Sequence, residues 1–145
     1  MRALILLLSA VPLLAGTADE KDAIATIQRT FDGMAARDAA MIRSTMLPGA
    51  KLYSVRDQAD AAGTSIDDFL EHLAAVQGTL LERFTSPPQV LIHGRMAQVW
   101  GEYEFLHDGK FAHCGVDSVS LLKTADGWKI ASISYTAETS GCPGH

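Results

Sequence analysis

The sequence predicts an α+β domain, with N-terminal helices packed on a mainly antiparallel sheet. Three observations carry that prediction. Apolar residues recur at helical spacing in the first half of the chain. Two Asp-Gly pairs, Asp108-Gly109 and Asp126-Gly127, separate alternating runs in the last third, and both residue types accept positive φ, which tight hairpin turns require. Helices also precede most of the strands instead of alternating with them, the order of an α+β domain.

Residues 1–18 read as an export leader. Arg2 supplies the positive start, Ala3–Leu14 the apolar stretch, and Gly16-Thr17-Ala18 the small residues that precede cleavage. The apolar run is too short for a membrane span, and no Cys stands just after it to take lipid. Cleavage near Ala18 is expected, with export to the periplasm or beyond. Residues 19–145 then form one domain with a modest core.

Asp19 or Asp22 is placed to cap a first helix whose apolar stripe is Ile24, Ile27, Phe31 and Met34. A short second helix follows over 38–46, stopped by Pro48-Gly49. Residues 50–55 alternate as a first strand. Thr64-Ser65-Ile66-Asp67-Asp68 caps a third helix, with acids in its positive first turn, and Gly78 ends it. Residues 80–85 and 89–93 are short strands around the breaker Pro87-Pro88. A meander over 96–106, 111–122 and 128–136 completes the chain.

Turn geometry sorts the meander into faces. A tight Asp108-Gly109 turn sets His113 opposite Glu104, Gly115 opposite Glu102 and Asp117 opposite Trp100. One face then collects Trp100, Glu102, Glu104, His113, Asp117, Trp128, Ile130 and Ser134. The other collects Val99, Gly101, Tyr103, Phe105, Cys114, Val116, Ile133 and Tyr135, an apolar back that needs cover, for which a second subunit is a candidate. Aromatic rings with a few convergent polar groups are what a small-molecule site presents. Trp100, Glu102, Trp128 and Ser134 are therefore pocket candidates, with Tyr53 added from a neighbouring strand.

Asp117 is the leading chemical candidate, because burial in an apolar hollow raises a carboxyl's pKa and makes it a proton donor or a poised base. His113, on the same face, would have its tautomer and charge set by Glu102 and Glu104. The plainer alternatives are a rim carboxylate bonded to Ser134 or Trp100, and an exposed His beside Glu104. Cys114 and Cys142 are the only cysteines. A C-terminal tail curling back would bring them together in an oxidising compartment, and two unpaired thiols are the alternative. No Cys/His spacing resembles a metal site, and no glycine-rich phosphate loop or nucleophile elbow is present. The net charge of −5 without a basic cluster argues against nucleic acid and anionic membrane as partners.

Five stretches carry a family resemblance: 27–31 with Arg37-Asp38, 49–52, 96–103, 113–117 and 122–130. On them the chain resembles the nuclear transport factor 2-like superfamily, also called SnoaL-like or cystatin-like α+β cone proteins. The resemblance implies a strongly curved mixed sheet around a pocket, helices closing the cone, and homodimers through the convex sheet face. The superfamily includes ketosteroid isomerases, polyketide cyclases, dehydratases, epoxide-hydrolase-like enzymes and non-enzymatic ligand binders, so a shared fold does not transfer a reaction. Asp117 is similar in position to the oxyanion-hole Asp of the isomerases. The isomerases' helical Tyr and their catalytic base fall at Thr30 and Ser54, so steroid isomerase activity is not expected.

The expectation is thus an exported domain binding a small apolar or aromatic ligand, without cofactor. Two alternatives remain open. One is an isomerase, dehydratase or cyclase using Asp117 and His113 as general acid and base; the other is a protein-interaction module.

Overall fold

The computed structural model describes residues 16–56 and 59–144. Most of the expected leader lies outside the described residues. Its last three positions are described, and Thr17 caps α1 (Ala18–Ala36): its hydroxyl accepts from the Glu20 amide while the Glu20 carboxylate accepts from the Thr17 amide. This reciprocal cap starts the helix ahead of the expected Asp19 or Asp22. Ile27 and Phe31 of the apolar stripe are buried, as are Ala23 and Thr30. Asp38 caps α2 (Ala39–Thr45) by accepting from the Met41 amide.

The expected stop at Pro48-Gly49 does not end α2. Both residues lie inside β1 (Met46–Arg56), where its pairing with the last strand shifts register. Pro lacks the donor a regular ladder needs, and Gly49 adopts a φ of 80°, so the strand bends there. A strand the sequence did not suggest, β2 (Ala59–Ser65), pairs antiparallel with β1. Its small, mostly exposed residues carry no alternation to read. Ser65 caps α3 (Ile66–Ala75), accepting from the Asp68 amide.

The remaining strands are β3 (Leu80–Phe84), β4 (Gln89–His93), β5 (Met96–His107), β6 (Lys110–Thr124) and β7 (Gly127–Thr136). They extend one curled, unclosed sheet in the order β2-β1-β7-β6-β5-β3, with β4 also on β5. Among the described residues only β1 and β7 run parallel, and every other strand pair is antiparallel. The sheet is therefore mixed. Ile27 and Phe31 of α1, with Leu70 and Leu73 of α3, pack with Val99, Val119, Leu121 and Ile133 of the sheet into the main core. No described helix is long and apolar enough to cross a membrane.

The face assignment fails at two bulges. Asp108 and Gly109 both take positive φ, as the turn predicts, and His107 pairs with Lys110. Between Phe105 and Leu106 the register then slips: Leu106 faces Phe111, but Phe105 faces His113, leaving Ala112 as the extra residue. A second slip leaves Ala131 over on β7, where Leu121 faces Ile130 but Ser120 faces Ser132. Each one-residue insertion inverts every later side chain, because side chains alternate with period two. Asp117 consequently faces Gly101, and shares its side with Tyr103, Phe105, His113 and Tyr135. The β5 and β7 members of the supposed apolar back form the concave face, covered by this chain's own helices, whereas Cys114 and Val116 pair with Glu104 and Glu102 on the convex side. Trp100, Glu102 and Glu104 lie on the convex side.

Candidate functional site

A cavity of ≈ 270 Å³ opens between the concave sheet face, α1 and α3. Phe31 and Met34 of α1, Phe69 and Leu73 of α3, and Leu52 and Ile133 of the sheet form apolar walls. Polar groups reach it from five strands. Asp117 comes from β6, Glu82 from β3, Tyr103 from β5, Tyr135 from β7, and Arg56 stands at the exposed end of β1.

Asp117 sits at the centre of one cross-sheet row, Gly101–Asp117–Tyr135–Ser54. It is 2% exposed, and its Oδ2 has no hydrogen-bond partner. Loss of hydration raises its carboxyl from the ordinary 3.8 to about 7. Glu82 belongs to the row Glu82–Phe105–His113, the second inward-facing row along the sheet from that of Asp117. Burial first, and the negative charge of Asp117 second, push its carboxyl well above the usual range. Two acids share one largely apolar hollow, and each discourages ionisation of the other.

Between them stands Tyr103, buried, its hydroxyl donating to the Thr136 carbonyl at 2.6 Å. Burial and the Glu82 and Asp117 carboxyls all oppose its ionisation. The Gly115 it faces cannot be larger, since a Cβ there would collide with the Thr136 carbonyl. Thr136 also accepts the Val116 amide on its hydroxyl at 2.9 Å. These contacts fix the strand end that carries Tyr103's acceptor. Just beyond it, Cys142 is disulfide-bonded to Cys114, with Cα atoms 6.0 Å apart, and Glu138 and Cys114 exchange backbone hydrogen bonds. The tail does curl back.

His113 lines the same cavity but lies four residues along β6 from Asp117, roughly 13 Å of strand at 3.3 Å per residue. Its ring stacks on Phe105 at 4.9 Å and meets Tyr103 edge-on at 5.8 Å. Burial, then the Arg56 charge, lower its pKa and favour the neutral imidazole. The carboxylates expected to set its charge are elsewhere. Glu104 is bridged by Arg83, with Nε to Oε1 at 2.6 Å, on the convex side, and Glu102 is exposed there.

The other pocket candidates also fall outside the cavity. Trp100 is 53% exposed on the convex face. Ser134 pairs with Ser118 on that face. Tyr53 lies over Gly63 at the β1–β2 edge, 36% exposed. Trp128 is buried in the core near the hairpin end, with the Lys123 ammonium 5.6 Å above its ring. Glu82 was missed, although the run Leu80, Glu82, Phe84 places a carboxylate between two apolar residues on one strand face, a pattern that signals an inward acid. Among the described residues, no three His, Cys, Asp or Glu side chains form a group able to hold a metal ion.

Comparison with protein-family models and with curated proteins finds no match to the sequence. Solved structures do match in shape. A protein from Kribbella flavida is 18% identical, with a TM-score of 0.69 over 82% of this chain and 90% of that one. A cystatin-like-fold protein of unknown function from Nostoc punctiforme is 11% identical, with a TM-score of 0.70 over 86% and 95%. A candidate dehydratase of the nuclear transport factor 2-like family from Streptomyces avermitilis is 18% identical, with a TM-score of 0.66 over 82% and 95%.

Proposed function

The chain has the nuclear transport factor 2-like, cystatin-like fold, and we propose that it uses the concave cavity to bind a small, largely apolar molecule. One observation carries this reading. Asp117 is buried with an unpartnered oxygen at the wall of an apolar cavity, an arrangement that costs free energy unless a ligand completes it. The cavity lies near the lower end of ordinary ligand sites, which suits a compact molecule.

Native mass spectrometry of the purified chain, followed by a thermal-shift screen of small aromatic compounds, tests the reading. A bound molecule or a stabilising compound is expected, with affinity reduced in Asp117→Asn. Equal affinity of the Asn variant for every binder found would overturn it.

A second reading, an acid–base enzyme of the isomerase, dehydratase or cyclase kind, is favoured by one observation. A carboxyl near 7 is poised to accept or give a proton at neutral pH. Asp117 is then the reacting group, with Glu82 a second acid lining the same cavity. Turnover of a bound compound that disappears in Asp117→Asn would select it.

Two further assignments belong to the same proposal. Export is supported by the Cys114–Cys142 bond, since disulfides persist in oxidising compartments. We also propose homodimerisation through the convex face; the exposure of Trp100, Met96 and Leu122 there, around the polar Gln98–Ser118–Ser120 cluster, supports it.

A further inference from the structure

We propose that the cavity selects a small aromatic or aliphatic amine, whose ammonium group takes the open oxygen of Asp117, with the Glu82 carboxyl on the wall of the same cavity. The inference rests on the binding role proposed above and adds the charge of the ligand. Both carboxyls line one enclosure, and Asp117 Oδ2 lacks any donor. Among the described residues no cation forms an ion pair with either acid: Arg83 is committed to Glu104, Arg43 to Asp67 and Lys123 to Asp19.

The groups facing the acids are accounted for element by element. From β1, Arg56 stands at the mouth; from α3, His72 is exposed at the rim; from β5 come Tyr103 and His107. From β6 comes His113, and from β7 Tyr135, while α1 adds the hydroxyl of Thr30 and no ionisable group. Arg56 acts on Tyr103, Tyr135 and His113, whereas the charge that Glu82 feels is that of Asp117. Among the described residues Arg56, at the mouth, is the permanent cation of the lining, and it makes no ion pair with either acid.

An anion is repelled once either acid gives up its proton. A neutral alcohol or ketone satisfies one oxygen and leaves the second acid to keep its proton. An ammonium offers three donors and a positive charge, which allows Asp117 to ionise in place. The rings of Phe31, Phe69 and Phe105 suit its hydrocarbon part and the face of a cation. Binding then releases a proton from Asp117, so affinity rises with pH while the amine stays charged.

Isothermal titration of the full mature chain with 2-phenylethylamine, 2-phenylethanol and 3-phenylpropanoate tests the charge preference, at about pH 6 and about pH 8. The amine is expected to bind about tenfold or more tighter than the alcohol at the higher pH, and to weaken at the lower. Asp117→Asn should cost the amine about tenfold and the alcohol clearly less, and Glu82→Gln should weaken the amine in the same direction. An alcohol bound as tightly as the amine, or a carboxylate bound best, overturns the amine assignment and leaves the binding role standing. If none of the three binds, the amine assignment falls and the cavity's binding role loses its support with it.

Discussion

Asp117 faces Gly101 directly across β5 and β6, so the acid's neighbour on that side has no side chain. The ring of Phe84 fills the space: a Cβ on Gly101 would stand 2.5 Å from it and 3.0 Å from Pro88. The wall beside the acid is thus made by β3 and the turn after it.

Gly101→Ala should force that ring aside. Overpacking of this kind costs about 1–3 kcal/mol. Urea unfolding of the variant should show the loss, together with a change in any ligand affinity measured at the cavity. A variant as stable as the parent would mean that Phe84 moves freely and does not build the wall.

Acid pH should stabilise the fold through Asp117. Its folded value of about 7 lies above the ordinary 3.8, so the folded state holds the proton more tightly than the unfolded chain. The advantage is complete below about pH 4 and disappears as pH rises through 7, a change on the order of 4 kcal/mol. Glu82, also raised, acts in the same direction. Asp117→Asn should flatten this slope and exceed the parent in stability at about pH 8. Parallel stability curves for the two proteins across that window would refute a buried, destabilised carboxyl.

Reduction should lower the melting temperature. The Cys114–Cys142 bond spans 28 residues, and a loop of that size is worth about 2–4 kcal/mol through restriction of the unfolded chain. The loss should also loosen the Thr136 carbonyl that accepts from Tyr103, so cavity ligands should bind less tightly after reduction. Two thiols titrating in the unreduced protein, with no melting shift on reduction, would rule the bond out.

Trp100→Glu should leave cavity binding unchanged, because Trp100 lies on the opposite side of the sheet. Analytical ultracentrifugation should instead show a shift from dimer to monomer. A monomeric parent protein would remove the convex face from consideration as a dimer surface. A loss of ligand affinity in the variant would contradict the face assignment itself.

The sequence by itself determined the helices, the meander and the Asp108-Gly109 turn, because each is written in local periodicity and local turn chemistry; the second turn falls one residue early, on Ala125-Asp126, with Gly127 opening β7 opposite Thr124. It also singled out Asp117 as an inward acid, and brought Cys114 and Cys142 within plausible reach. Only the tertiary structure decided which residues share the cavity with that acid. The bulges at Ala112 and Ala131 each add one residue to one strand, and nothing in their small side chains distinguishes them from ordinary strand positions. One extra residue reverses all that follow, which exchanged Trp100 and Glu102 for Gly101 and Tyr103. The parallel pairing of β1 with β7 and the approach of Glu82 join residues far apart in the chain. Such contacts are set by how the sheet curls, a property no local pattern contains.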